Sequence, residues 1–288
     1  QTQTRGATGP TLATLRTLYG SDPTLWTNNN DYLSMASNRQ GIQIWTVPQT
    51  GYYKFDVYGA GGNDSATGIN FGGYRSGYSR NLSGYIYLTM GEKIHIACGQ
   101  NGGWYNNTGG TAVGGHGGTF VVKEDNTPLI ITGGASGGNY STHTTNSMWA
   151  SGKNVSETFV NGVAYSTDSD GNNYLNTGFG GSLSGSESTS GWRGQPGAGF
   201  NGDATGGVGS NAKGWANGLT GGTGGGAPTA NGGFGGGAVS HSALVRPGGG
   251  GGYSGGEGSG YSSGKSAGAG GSYYNTSLVS DFTVGDQY

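Results

Sequence analysis

The sequence predicts an all-β protein with little α-helix, in which an antiparallel β-sandwich carries an inserted bundle of polyglycine-II helices. Short runs of alternating apolar and polar residues, separated by turn residues, predict the sandwich. The 288 residues include 68 glycines, a share that is typical of low-complexity chains. However, 18 Tyr, 8 Phe and 6 Trp provide more apolar surface than disordered chains carry, so we expect the glycines to be ordered.

The strands are predicted from alternation of side-chain character. In the clearest one, Tyr53, Phe55 and Val57 lie on one face, and Lys54 and Asp56 lie on the other. Further strands share this pattern and are expected at residues 42–47, 84–88, 93–98, 119–123, 129–132 and 278–284. Their short connections favour antiparallel pairing over a parallel α/β sheet.

The chain is predicted to divide into an N-terminal segment, residues 1–40, and one glycine-rich domain, residues 41–288. A three-residue spacing of leucines predicts a short helix between residues 12 and 18 of the first part. Within the domain, we expect the sandwich to use about residues 41–135 and 272–288, and the polyglycine helices to use about residues 178–271.

Polyglycine-II packing is predicted because more than a third of residues 178–271 are glycine, without a collagen period. Such helices have three residues per turn and no internal hydrogen bonds. Without side chains, neighbouring helices can approach until each N–H reaches a C=O of another helix, which satisfies the backbone without an apolar core. The residues expected to be packed in this way are Gly235, Gly236, Gly249, Gly250 and Gly251.

Charge and hydropathy argue against several partners. The 13 Lys and Arg residues are scattered singly, whereas a nucleic-acid binder carries a basic patch, so no nucleic-acid partner is expected. There is no run of about 18 apolar residues, so membrane insertion is not expected either. The chain starts at Gln1 instead of Met, from which we predict a removed signal peptide and a secreted, extracellular protein.

No motif in the chain predicts catalysis, a cofactor or a bound metal. Residues 197–202 match the dinucleotide pattern G-x-G-x-x-G, but neither a strand before them nor a helix after them is predicted. Residues 168–172 resemble a calcium loop but lack its later Gly and Glu, so an Asx-type turn is favoured. The four histidines show no metal-ligand spacing. The single cysteine, Cys98, is interpreted as a small buried apolar residue that shares a strand face with Ile94 and Ile96.

The sequence contains several sequons, the Asn-X-Ser/Thr triplets at which N-linked glycans are attached. Asn-X-Ser/Thr triplets make candidate glycosylation sites of Asn63, Asn81, Asn106, Asn139, Asn154 and Asn275. In a chain so rich in Asn, Ser and Thr, about five such triplets arise by chance. Their number therefore does not by itself indicate secretion.

Several ordered blocks of the sequence resemble one receptor family. They are Gly-Ile-Gln-Ile-Trp-Thr-Val-Pro at 41–48, Val-Tyr-Gly-Ala-Gly-Gly at 57–62, and the glycine blocks at 99–102, 117–121, 232–237 and 248–256. Together they resemble the glycine-rich ligand-binding region of the anaplastic lymphoma kinase and leukocyte tyrosine kinase receptors. The resemblance implies a jelly-roll sandwich similar to tumour-necrosis-factor folds, with inserted polyglycine helices. This chain has one cysteine where those receptors carry several, and only scaffold positions match, so no ligand contacts transfer.

Three functions, all non-enzymatic, stay open from the sequence. The favoured one is an extracellular structural protein that assembles with copies of itself into a filament or matrix, because low charge and many tyrosines suit contacts between like surfaces. The second is a soluble ligand-binding module that contacts another extracellular protein. The third, from a looser likeness to glycine-rich phage tail-fibre adhesins, is an adhesin that binds a cell-surface receptor.

Overall fold

A computed structural model describes residues 6–20, 22–61, 76–107, 110–141, 148–150, 158–167, 173–174, 178–182, 194–207, 209–224, 230–239, 246–259 and 267–287. Strands in antiparallel sheets dominate these residues, and helix is scarce, which confirms the all-β prediction. No helix within these ranges is long and apolar enough to cross a membrane.

Helices occur only as short pieces in the described chain: α1 (Leu12–Tyr19) and the 3-10 turns Trp26–Asn28 and Trp215–Asn217. The strands are β1 (Leu33–Met35), β2 (Ile42–Thr46), β3 (Gly51–Tyr58), β4 (Arg80–Leu88), β5 (Lys93–Ala97), β6 (Trp104–Asn107), β7 (Gly110–Val113), β8 (Thr119–Lys123), β9 (Pro128–Thr132), β10 (Asn139–Ser141), β11 (Met148–Ala150), β12 (Phe159–Val160), β13 (Val163–Ala164), β14 (Ser166–Thr167), β15 (Asn173–Tyr174), β16 (Gly209–Ser210), β17 (Thr223–Gly224), β18 (Tyr273–Tyr274) and β19 (Val279–Gln287).

The predicted N-terminal helix is present as α1. The Thr11 hydroxyl accepts a hydrogen bond from the Thr14 N–H (3.2 Å), which satisfies one free donor of the first turn. Gly20 ends the helix at φ +122°, a conformation that residues with a side chain rarely adopt. Leu15 is the buried residue of the helix, so one side of α1 packs onto the protein.

Two sheets organise the fold. The larger has eight strands in the order β1-β2-β5-β8-β9-β18-β13-β12, and the smaller has three in the order β19-β4-β3. Each strand predicted from the sequence has a counterpart in one of them. β1 lies before the expected boundary at residue 40 and pairs with β2, which lies after it.

One face of the larger sheet packs against the smaller sheet across an apolar core. Buried residues of β4 and β9 meet there, among them Leu82, Ile86 and Ile130. The predicted alternation in β3 is confirmed, since Val57 is buried in this core while Lys54 is exposed. The two sheets therefore protect each other's apolar faces, as in a β-sandwich.

The other face of the larger sheet is covered by residues from the glycine-rich part of the chain. Phe120 of β8 stacks on Trp215, with ring centroids 5.6 Å apart, and Trp215 stacks in turn on Phe200 at 5.9 Å. Phe234 is buried in the same cluster. The larger sheet is consequently covered on both faces, by the smaller sheet and by the glycine-rich layer.

Candidate functional site

The segment at residues 248–253 lies inside a network of backbone hydrogen bonds. Every N–H group of this segment donates to a backbone carbonyl of another segment. Donors that are three residues apart donate to the same neighbouring segment. The pairs are Gly248 with Val113 and Gly251 with His116, Gly249 with Gln195 and Gly252 with Ala198, and Gly250 with Gly268 and Tyr253 with Gly271. A backbone with three residues per turn sends its hydrogen bonds out with this repeat.

The carbonyl groups of the same segment complete its contacts. The Gly251 carbonyl accepts from the Gly134 N–H (2.6 Å), and the Gly249 carbonyl accepts from the Gly237 N–H (2.8 Å). The segment is thus held on several sides by backbone alone. We call the connected segments 113–117, 133–138, 194–199, 232–239, 248–256 and 267–271 the glycine network.

The glycines singled out from the sequence occupy this network for two different reasons. A Cβ atom at Gly236 or Gly250 would overlap with a carbonyl oxygen of a neighbouring segment, Gly115 or Gly134 respectively. A Cβ atom at Gly249 or Gly251 would also be too close to backbone atoms, at 2.5 Å from residues 256–257 and 2.6 Å from residue 235 respectively. Gly235 differs, because the space around it is open to a Cβ but its φ of +68° is left-handed.

Hydrogen exchange should report on this network directly. We expect the amides of residues 248–253 to exchange only when the whole domain unfolds, because each one is hydrogen-bonded and the five glycines are buried. Helix α1, which is short and largely exposed, should exchange much faster and serves as the internal control. Exchange mass spectrometry of peptides from the two regions makes the comparison. Equal, rapid exchange in both peptides contradicts the packing described above.

The candidate glycosylation sites are scattered over the fold. Asn81 lies in β4 and its side-chain oxygen is buried. Asn275 is half-buried, and its amide nitrogen donates to the Pro128 carbonyl (3.4 Å). Asn106 lies in β6 and Asn139 in β10. The two remaining sequons, at Asn63 and Asn154, fall outside the described residues.

In the described part of the chain, the sequence patterns that resemble cofactor or metal sites are not joined by further candidate ligand residues. Residues 197–202 belong to the glycine network and its adjoining turn, where the Gly199 N–H donates to the Gly202 carbonyl. Among the residues described, no three His, Cys, Asp or Glu side chains are grouped so as to hold a metal ion. Residues 168–172, His143 and His241 lie outside the described ranges.

An apolar groove of about 500 Å³ separates the N-terminal segment from the open side of the sandwich. Its walls include Trp26 next to α1, Trp45 of β2 and Tyr53 of β3. The predicted burial of Cys98 is wrong: β5 ends at Ala97, and the thiol of the following residue is exposed to this groove. Although the residue is exposed, the protein atoms around the groove partly desolvate the Cys98 sulfur, which raises the pKa of this thiol above its usual value.

The thiol of Cys98 should therefore be accessible but slow to react. Iodoacetamide attacks the thiolate, and a raised pKa lowers the thiolate fraction at pH 7, so we expect alkylation to be slower than in the urea-unfolded chain. The folded rate should keep rising above pH 9, where the unfolded rate levels off. Mass spectrometry of timed samples measures both. Equal folded and unfolded rates at pH 7 contradict the raised pKa.

The outer face of the smaller sheet carries exposed tyrosines. Tyr52 is 70% exposed and Tyr87 is 54% exposed, and their rings meet edge to face at 5.1 Å on neighbouring strands. Tyr58 and Tyr85 are exposed on the same face. Soluble proteins place isolated apolar groups on their surfaces, whereas clustered exposed aromatics are typical of contact sites.

Charged residues lie between these tyrosines on β3. The ammonium of Lys54 is 3.1 Å from a carboxylate oxygen of Asp56. A hydrogen bond from the Ser83 hydroxyl, and then the bond from Lys54, lower the pKa of Asp56 below its usual range. Asp56 is therefore ionised at neutral pH, and the outer face of β3 presents one positive and one negative group in series.

Among the strands that the structure describes, β3 lies at an edge of its sheet, and its pairing with β4 is regular. Its residues pair with β4 on one side without a register shift, from Gly51 opposite Leu88 to Tyr58 opposite Asn81. β19, at the other edge of the sheet, has two register shifts in its pairing with β4. Bulges protect an edge from further pairing, whereas a regular edge stays available.

The comparison with known proteins gives one weak relation. The chain is 30% identical over 97 residues to the leukocyte tyrosine kinase receptor of the mouse, which covers 34% of this chain and 10% of the receptor. This supports a loose relation to that receptor family, as the ordered sequence blocks predicted. The chain thus spans about a tenth of the length of the curated relative it matches. No protein-family model matches the sequence.

Proposed function

We propose that the chain is a non-enzymatic, secreted, extracellular structural protein that associates with copies of itself into a filament or matrix. The observation that carries the proposal is the smaller sheet, where a regular edge strand, β3, borders a face with four exposed tyrosines. Open edges and clustered aromatic side chains are the two features that most readily bring like surfaces together.

The proposal includes the architecture of the scaffold. We propose that the segments of the glycine network are polyglycine-II helices and that the two sheets form a jelly roll. The three-residue repeat of hydrogen-bond partners at residues 248–253 supports the first assignment, and the sandwich of antiparallel sheets supports the second. A scaffold held by buried backbone hydrogen bonds resists local opening, which suits a structural role.

The test is the size of the particles that the purified chain forms. Self-association predicts that sedimentation velocity shifts to larger species as the concentration rises from micromolar to millimolar, and that electron microscopy shows regular polymers. The proposal is contradicted if the chain sediments as a monomer throughout that range. Because only this chain is present in the sample, no other protein can account for polymers.

A second candidate is a soluble ligand-binding module that contacts another extracellular protein. The likeness to the mouse receptor favours it, since that protein is named as a receptor. This candidate predicts a monomer at every concentration in the same experiment. The two functions are therefore distinguished by one measurement.

A further inference from the structure

We propose that two copies of this chain join by antiparallel pairing of β3 with β3, about a two-fold axis through Phe55. The inference rests on the proposed self-association and names one contact within it: a two-fold contact joins two copies and closes on itself, so a filament or matrix needs a second contact elsewhere on the chain. Pairing of this kind converts two three-stranded sheets into one continuous sheet, in which the same strand contributes from both copies.

The hydrogen bonds between β3 and β4 show which N–H and C=O groups of β3 point toward β4 and which point away from it. The Gly59 N–H donates to the carbonyl of Arg80, the residue directly opposite in the continued register. In an antiparallel pair, bonded positions alternate, so the odd-numbered residues of β3 bond to β4 and the even-numbered residues point away. The Tyr58 carbonyl agrees with this, since it accepts from the Thr119 hydroxyl on the side away from β4.

The outward backbone groups of Tyr52, Lys54 and Asp56 consequently lie at an edge that no described strand covers, and at residues 53–55 this edge borders the apolar groove described above. Among the described residues, none donates to or accepts from these groups. Beyond them the edge is closed, because the Thr119 side chain and the Gly117 carbonyl bond to the backbone at Tyr58 and residue 60. The open edge is therefore short, and its two charged residues, Lys54 and Asp56, lie on either side of Phe55.

A two-fold axis through Phe55 makes this edge complementary to itself. Lys54 of each copy lies opposite Asp56 of the other, so both charge pairs are between unlike charges. Each of these pairs consists of even-numbered residues, whose outward N–H and C=O groups can bond to each other. Tyr52 lies opposite Tyr58 of the second copy, where Thr119 already occupies the outward carbonyl, so this pair adds aromatic side-chain surface and the backbone bonds are confined to residues 54 and 56.

Neighbouring registers are disfavoured by the same side chains. Moving the axis to Lys54 places two ammonium groups opposite each other, and moving it to Asp56 does the same with two carboxylates. Like charges directly opposite in a sheet are destabilising. The charge order of β3 therefore selects one register among those that its outward backbone groups allow.

Charge reversal tests the register. In the Lys54→Glu variant, Glu faces Asp56 of the second copy, and in Asp56→Lys, Lys faces Lys54. We expect each variant alone to associate at least about tenfold more weakly than the wild type, since like-charge contacts cost more than the 1.4 kcal/mol that corresponds to tenfold. Mixed in equal amounts, the two variants should associate with each other, because every opposed pair is then again of unlike charge.

Controls separate this effect from folding and from total charge. Lys93→Glu makes the same charge change at an exposed ion pair on the other sheet and should leave association as in the wild type. Lys54→Pro removes an N–H that bonds to nothing in the described chain, so the variant should fold, with unchanged circular dichroism, and fail to pair. Sedimentation equilibrium measures association in all samples.

The outcomes distinguish the two proposals. Wild-type association that survives Lys54→Glu, Asp56→Lys and Lys54→Pro overturns β3 pairing while self-association stands. Loss in the single variants without recovery in their mixture overturns the proposed register. A wild-type chain that is monomeric at all concentrations removes both proposals.

Discussion

Replacing Gly250 with alanine is expected to lower the free energy of unfolding by about 3–5 kcal/mol. The new methyl group would overlap with the carbonyl oxygen of Gly134, which is backbone and cannot rotate away. Either the segment moves or its neighbour does, and both movements break buried hydrogen bonds such as that from Gly250 to Gly268. Urea denaturation followed by circular dichroism measures the change.

Two other glycines give matched controls for this substitution. Gly51→Ala places its methyl group in open space at the start of β3, so we expect a change within about 0.5 kcal/mol. Asparagine tolerates the left-handed conformation of Gly235 better than valine does. Gly235→Asn should therefore lower the free energy of unfolding less than Gly235→Val. A Gly250→Ala variant as stable as Gly51→Ala contradicts the close packing of the glycine network.

The strands that could be predicted from the sequence are those with one buried and one exposed face. β3 is the clearest example, because its side-chain pattern alone separates Val57 from Lys54. β6 and β7 were not predicted: Trp-Tyr-Asn-Asn and Gly-Thr-Ala-Val contain no alternation, and each strand is defined by pairing with the other. Two-residue strands such as β12 and β13 are too short to have a period at all.

The candidate site could be predicted only in part, for a related reason. The order of Lys54 and Asp56 is visible in the sequence, but the position of β3 at an edge depends on which distant strands pair. Cys98 shows the same limit, since alternation places it with Ile94 although the strand has already ended. The sequence of the glycine tracts does not show that Gly235 is needed for a left-handed turn and Gly250 for a close backbone contact, because glycine meets both requirements.

Trp215→Ala is the other substitution for which we expect a large effect, about 3–5 kcal/mol of unfolding free energy. The side chain is 1% exposed and lies between Phe120 of the larger sheet and Phe200 of the glycine-rich layer. Its indole N–H donates to the Asn126 side-chain oxygen (3.0 Å), so truncation leaves both a cavity and an acceptor without its donor. The loss should also expose the face of the larger sheet that this layer covers.

Trp26→Ala provides the control, because Trp26 is 52% exposed at the groove and should cost less than about 1 kcal/mol. Trp215→Phe separates the two contributions, since phenylalanine keeps most of the stacking and removes only the indole donor, at about 1–2 kcal/mol. Denaturation midpoints in urea rank the three variants. If Trp215→Ala unfolds no earlier than Trp26→Ala, the glycine-rich layer does not depend on the aromatic stack for its attachment to the sheet, and backbone hydrogen bonds alone must hold it there.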